Sequence, residues 1–172
     1  MIADAKSVEM IGNALAAVLT EIFDGAGDQS GWILNPKDPG LLASLDKLSA
    51  SAASTVPPHG GASIAAHVDH LRYALELMNR WSRGEQPFGN ADWSASWRRV
   101  AVTDDEWRQL RADFAAEARA WREAIKRHRD VTIAELTDLI ASVSHLAYHF
   151  GAIRQIDRSI RGPSSVKRAV SE

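Results

Sequence analysis

In the stretch SHLAYHFGAIRQI, residues 144–156, His145 and His149 stand four apart. Residues four apart on a helix face the same way, about one turn from each other. Two imidazoles so placed can share one metal ion at roughly 2.0–2.1 Å per nitrogen. A third ligand from a neighbouring helix would complete a site with an open position, the layout of a catalytic centre rather than a closed structural one. The segment SIAAHVDHLRYALELMNRW, residues 63–81, offers two candidates, His67 and His70. On a helical wheel both fall within the apolar arc of Ile64, Val68, Leu71, Ala74, Leu75, Leu77, Met78 and Trp81. The opposite arc is polar: Asp69, Arg72, Glu76, Asn79, Arg80 and Arg83.

The same spacing also fits histidines that simply hydrogen-bond a carbonyl or carboxylate at a helix interface. An HxxxH pair without the glutamate of HExxH recurs by chance in helical proteins. Four of the six histidines in the apolar arcs of two helices add weight to the metal reading. Asp138, two turns before His145, is either an acceptor for a ligand's free N–H or a plain surface aspartate, and the second reading is favoured. His59 and His128 fall in or near loops and are expected at the surface. Tyr73 and Tyr148 are expected in core or interface packing. Trp93 and Trp97, four apart in DWSASW, are expected to tie a loop down as a satellite hydrophobic cluster rather than to roof a site.

The elements that must position these groups are helical, and no run of alternating strand residues competes with them. A first helix is expected over about 4–23, with Val8, Ile11, Leu15, Val18, Leu19 and Ile22 inward. DGAGDQSG ends it, and one short helix is expected after Pro39-Gly40, through LLASLDKLSASAAS. Ser63 is the expected N-cap of a helix over about 64–83, and residues 84–102 read as a long loop. Thr103 with Glu106, and Thr132 with Glu135, are capping-box pairs that open helices to about 128 and about 160. The inward set of the first is Trp107, Leu110, Phe114, Ala118, Trp121 and Ile125. The central stripe of the second is Leu139, Val143, Leu146, Phe150 and Ile153. Four long helices imply an all-α four-helix bundle with an extra short helix between the first and second long ones. One domain over 1–162 and a C-terminal tail over 163–172 are expected.

Composition narrows the function. The 172 residues are 45% hydrophobic and 24% charged, with a formal charge of −2 and no cysteine. Disulfides, thiolate metal sites and a protein thiol nucleophile are thereby excluded. The charge gives no global pull toward nucleic acid or an anionic membrane. Arg154, Arg158, Arg161, Lys167 and Arg168 read as a solvated helix end and tail. The N-terminus carries Glu9 and Asn13 where a signal peptide would be apolar, so a cytoplasmic protein is expected.

SIAAHVDHLRYALELMNRW, then a long loop, a helix and HLAYHFGAIRQI, resembles the DinB-like (damage-inducible) superfamily of four-helix-bundle metalloproteins over about residues 60–160. The resemblance implies a divalent metal held by one histidine early in the second long helix and an HxxxH pair in the last. Carried over, the ligands are His70, His145 and His149, with His67 a pocket residue and the rival for the third place. The WILNPKDPGLL segment lies outside the motif. The resemblance further implies a metal-dependent transferase or isomerase using a small cellular thiol. This suits a chain without cysteine, since a bound divalent cation lowers the pKa of a coordinated thiol or water. Three neutral imidazoles suit zinc or nickel ahead of iron or cobalt. The alternatives are a non-catalytic, stress-related small-ligand-binding bundle and a structural dimer with histidines in its core. Wide apolar arcs leave surface for a homodimer.

Overall fold

In a computed structural model, residues 5–28, 31–127, 131–160 and 162 are described. The long helices are α1 (Ala5–Asp24), α4 (Ile64–Ser82), α5 (Asp104–Ala124) and α6 (Ile133–Ile156). Between α1 and α4 lie two short helices, α2 (Leu41–Asp46) and α3 (Ala50–Ser54), where one was expected. The Ser49 side chain causes the division, because it accepts from Ala52 N–H and so starts a new helix. His128, Arg161, Lys167, Arg168 and the 163–172 tail lie outside the described residues.

Both capping boxes form: Thr103 and Glu106 open α5, and Thr132 and Glu135 open α6. The Ser63 hydroxyl accepts from Ala66 N–H and donates to the Val100 carbonyl at 2.6 Å, which joins the cap of α4 to the loop that later covers it. Both C-termini fall short of expectation. α5 passes into turns at Ile125, and α6 stops at Asp157, whose carboxylate takes the Ser159 N–H at 2.8 Å and diverts the backbone into a single 3-10 turn.

The long helices form a ring in which α4 touches α5 and α6, and α1 touches the same two. Every residue of the inward set of α5 and of the stripe of α6 is buried. Phe23 of α1 meets Phe114 of α5 edge to face, with ring centroids 6.1 Å apart. Gly12 lets α1 come this close to the end of α5, since a Cβ there would lie 2.7 Å from the Ile125 carbonyl oxygen.

The polar arc of α4 is only partly solvated, chiefly at its C-terminal end around Arg80 and Arg83. No residue of α4 is fully exposed, and Asp69 and Asn79 are buried. Asn79 donates to the carbonyl and carboxylate of Glu117 on α5, at 3.0 and 2.7 Å. Asp69 pairs with Arg72 and with Arg99 of the following loop. α4 is thus partly covered on its polar side too, at Asp69 and Asn79, and it is the element against which the other parts of the site are set.

The unexplained segment before α2 is a strap between α1 and α6. Its two sides meet where Ala26 N–H donates to the Asp38 carbonyl and Lys37 N–H to the Gly27 carbonyl. Glu21, 5% exposed on α1, accepts from the backbone N–H groups of Trp32, Ile33 and Leu34 at 2.6–2.8 Å. Burial pushes this carboxyl up, but the three N–H donors outweigh burial and hold it below its ordinary value of 4.5. A carboxyl lowered in the folded state contributes stability above the unfolded pKa, and that contribution is lost as the pH falls through the folded value. Denaturant melts of wild type and Glu21→Gln should therefore differ by about 2 kcal/mol at neutral pH and converge as the solution is taken well below pH 4.5. A constant difference across that range would show that Glu21 does not anchor the strap as a carboxylate.

Candidate metal centre

Four histidines meet where α4 faces α6, under the 84–102 loop. His70 Nε2 lies 3.1 Å from His145 Nε2, and His149 Nε2 lies 2.9 Å from the same atom. One ring nitrogen from each of His70, His145 and His149 falls within 4.8 Å of the other two. His67 stands behind them, its Nδ1 2.9 Å from His149 Nδ1. The i, i+4 spacing on α6 places His145 and His149 one turn apart with their rings edge to face, and the N-terminal half of α4 supplies the other two rings.

The outer hydrogen bonds determine which nitrogens are free. Ser96 Oγ spends its one proton on the Trp93 carbonyl at 2.7 Å. It must therefore accept at 2.8 Å from His70 Nδ1–H, which leaves the lone pair of His70 on Nε2, facing the cluster. His149 can likewise donate Nδ1–H to His67 and keep its Nε2 lone pair inward. His145 Nε2 then has two close nitrogen neighbours but only one in-plane site, a proton or a lone pair. It can satisfy one neighbour and not both.

Protonation does not relieve the conflict near neutral pH. Burial, followed by repulsion from His145 and His67, pushes His70 down to about 4 despite the opposing pull of Asp69. Burial and the other three rings push His149 down to about 3. Burial alone lowers His67 and His145. The rings are neutral, the form in which imidazole binds a cation.

The donor set fits a divalent metal. Tetrahedral coordination at 2.0–2.1 Å separates ligand nitrogens by about 3.3 Å, so the 2.9 and 3.1 Å contacts need open by only a few tenths of an ångström. His70 and His149 also have the outer partner that metal-bound histidines characteristically use to fix ring orientation. His70, His145 and His149 could hold a metal ion.

The surroundings correct several expectations. Trp97 is no satellite residue: it stacks on His70 with ring centroids 4.1 Å apart and planes at 21°, and meets His67 edge to face. Trp93 lines the adjoining cavity. The loop therefore roofs the cluster, and two 3-10 turns (Pro87–Asn90 and Ala95–Trp97) stiffen it. Tyr73 is a loop anchor rather than core packing, since its hydroxyl accepts from Asp92 N–H at 3.1 Å. Tyr148 is 71% exposed beside His149. Asp138 hydrogen-bonds no histidine among the described residues; it is an exposed aspartate, as favoured, and lines the adjoining cavity. His59 is exposed, as expected. Ser96 had no signal in the sequence, because its role depends on the loop folding back onto α4.

These features define a helical bundle with a histidine cluster between its second and last long helices. The chain matches the DinB superfamily over residues 40–152, well over half its length, and it belongs to that superfamily. No curated protein and no solved structure matches the chain.

Proposed function

We propose that the protein is a divalent-metal-dependent enzyme acting on a small molecule, with His70, His145 and His149 as ligands and a low-molecular-weight thiol as the favoured cosubstrate. The observation that supports this most is the convergence of three neutral imidazole nitrogens whose contacts hydrogen bonding alone cannot satisfy. Zinc or nickel suits three imidazoles best, with iron and cobalt compatible. When bound, such a cation would supply Lewis acidity, lowering the pKa of a thiol or water and polarising an electrophile. The chain's own residues do the positioning: Ser96 and His67 orient the ligand rings, and Trp97 covers His70. Leu71, Leu75 and Leu146 keep water from one side of the site.

Elemental mass spectrometry of untagged protein purified without chelator should find about one metal per chain, and none in His145→Ala/His149→Ala. His67→Ala, which removes the acceptor behind His149 and no ligand, should weaken metal affinity by about 10- to 100-fold without abolishing binding. Complete loss in that variant would make His67 the third ligand. A wild type that stays metal-free after reconstitution would leave a non-catalytic binding bundle, the reading favoured by the apolar cavity beside the cluster.

The homodimer belongs to the same proposal. Ile133, Ile140 and Tyr148 are 72%, 49% and 71% exposed and share one side of α6, away from its buried stripe. A self-complementary contact there would cover them. Sedimentation should give a dimer for the wild type and a monomer for Ile140→Asp; a monomeric wild type at high protein concentration would rule the dimer out.

A further inference from the structure

Beside the histidines, between α4 and α6, lies a cavity of about 580 Å³, the size that takes a small organic molecule. Its floor is Leu71, Leu75, Met78 and Leu146, all buried. Phe88 and Trp93 from the loop form its outer wall and remain 39% and 42% exposed, as aromatic groups awaiting a ligand surface would be. His70 and His145 border the cavity.

Its charge is one-sided. Among the described lining residues there is no lysine or arginine, and the one carboxylate is Asp138. Asp138 is exposed at the cavity's solvent side and has no ion pair or hydrogen bond within the described chain, so its charge is open to a ligand. Ser142, the neighbouring polar group, is already engaged: it accepts from Trp121 Nε1 at 3.2 Å and donates to the Leu139 carbonyl at 2.7 Å. It has no proton left for a ligand.

We infer that this cavity selects a small apolar molecule, aromatic or aliphatic, bearing a cationic group that pairs with Asp138 about 10 Å along α6 from the reacting end at His145. The separation is the rise of the seven residues from Asp138 to His145. An anionic tail would be placed in an apolar cavity beside a carboxylate with no cation to meet it, so a polyanionic peptide thiol does not fit here. A thiol cosubstrate must then be of low charge or approach from another side. The inference deepens the metal reading and rests on it for which end of the ligand faces the histidines.

The test compares 4-(aminomethyl)benzohydroxamate with 4-carboxybenzohydroxamate by titration calorimetry on the metal-loaded protein, with metal content measured on the same sample. The hydroxamate anchors both probes at the same end, so the para group alone differs. The amine should bind about fivefold more tightly, and Asp138→Asn should collapse that ratio toward one. Equal affinities, a preference for the carboxylate, or a ratio unmoved by Asp138→Asn would overturn the inference. If the protein holds no metal, the metal reading fails separately. The pair 4-phenylbutylamine and 4-phenylbutyrate then decides the charge preference by the same ratio and the same variant.

Discussion

Saturating zinc or nickel should raise the melting temperature of the wild-type protein by about 10 °C over the same protein in chelator, and should leave His149→Ala unmoved. A ligand that binds only the folded chain stabilises it by about 4 kcal/mol at a thousandfold excess over its dissociation constant. For a chain of this length each kcal/mol is worth roughly 2–4 °C. The structural reason is specific to this cluster. His145 Nε2 faces two nitrogens at 2.9 and 3.1 Å and can hydrogen-bond with one of them. Neutral rings, held neutral by burial, have no second proton to offer. A cation at the centre would turn both contacts into coordination. His149→Ala removes one of the proposed ligands and at the same time relieves the close contact at His145 Nε2. In chelator this variant should lose less stability than a buried-residue truncation ordinarily costs. Differential scanning calorimetry of both proteins, with and without metal, measures all four values. A wild-type melting temperature indifferent to every divalent ion tried would count against the site, whatever the geometry suggests.

Much of this arrangement was legible in the sequence, for reasons that differ between elements. The HxxxH pair on α6 needs only helical periodicity to converge, and α6 announces itself through the Thr132–Glu135 capping box and its buried stripe. His67 and His70 are not separable by periodicity alone, because the two lie on neighbouring lines of one apolar arc. The structure places both in the cluster, His70 facing His145 and His67 behind His149. What the wheel could not show is what covers a helix. Asp69 and Asn79 lie in a polar arc, yet the loop and α5 bury both. Their partners, Arg99 and Glu117, are 30 and 38 positions away along the chain. Trp93, Ser96 and Trp97 escaped for the same reason: a loop without periodicity carries no local statement of which surface it folds onto. The WILNPKDPGLL strap is the extreme case, since its anchors, Glu21 on α1 and Arg154 on α6, lie on either side of it in sequence and have no motif in common.

Arg154→Ala should destabilise the protein by about 3–5 kcal/mol, the largest effect expected from any single change away from the histidines. From composition Arg154 belonged to a solvated basic cluster. In the fold it is half-buried on α6, where its guanidinium forks onto both carboxylate oxygens of Asp38 and onto the Pro39 carbonyl at 2.9 Å. Its plane also lies over the Phe150 ring, 3.9 Å from the centroid. Asp38 is 3% exposed, so removing the arginine strands a carboxylate that water cannot reach. Desolvating an unpaired charge, rather than losing the attraction itself, makes up most of the cost. Lysine cannot substitute, because a point charge reproduces neither the fork nor the stacking on Phe150. Arg154→Lys should recover less than half of the loss. Asp38→Ala alone should cost a similar amount, whereas Arg154→Ala/Asp38→Ala should cost well under the sum of the two single changes. That non-additivity in denaturant melts is the signature of a buried pair. Additive effects would mean that the strap is held by Glu21 alone. Phe150 follows His149 directly on α6, so a strap released from Arg154 should also loosen the helix that carries two of the three imidazoles. Metal affinity in Arg154→Ala is therefore expected to fall together with stability.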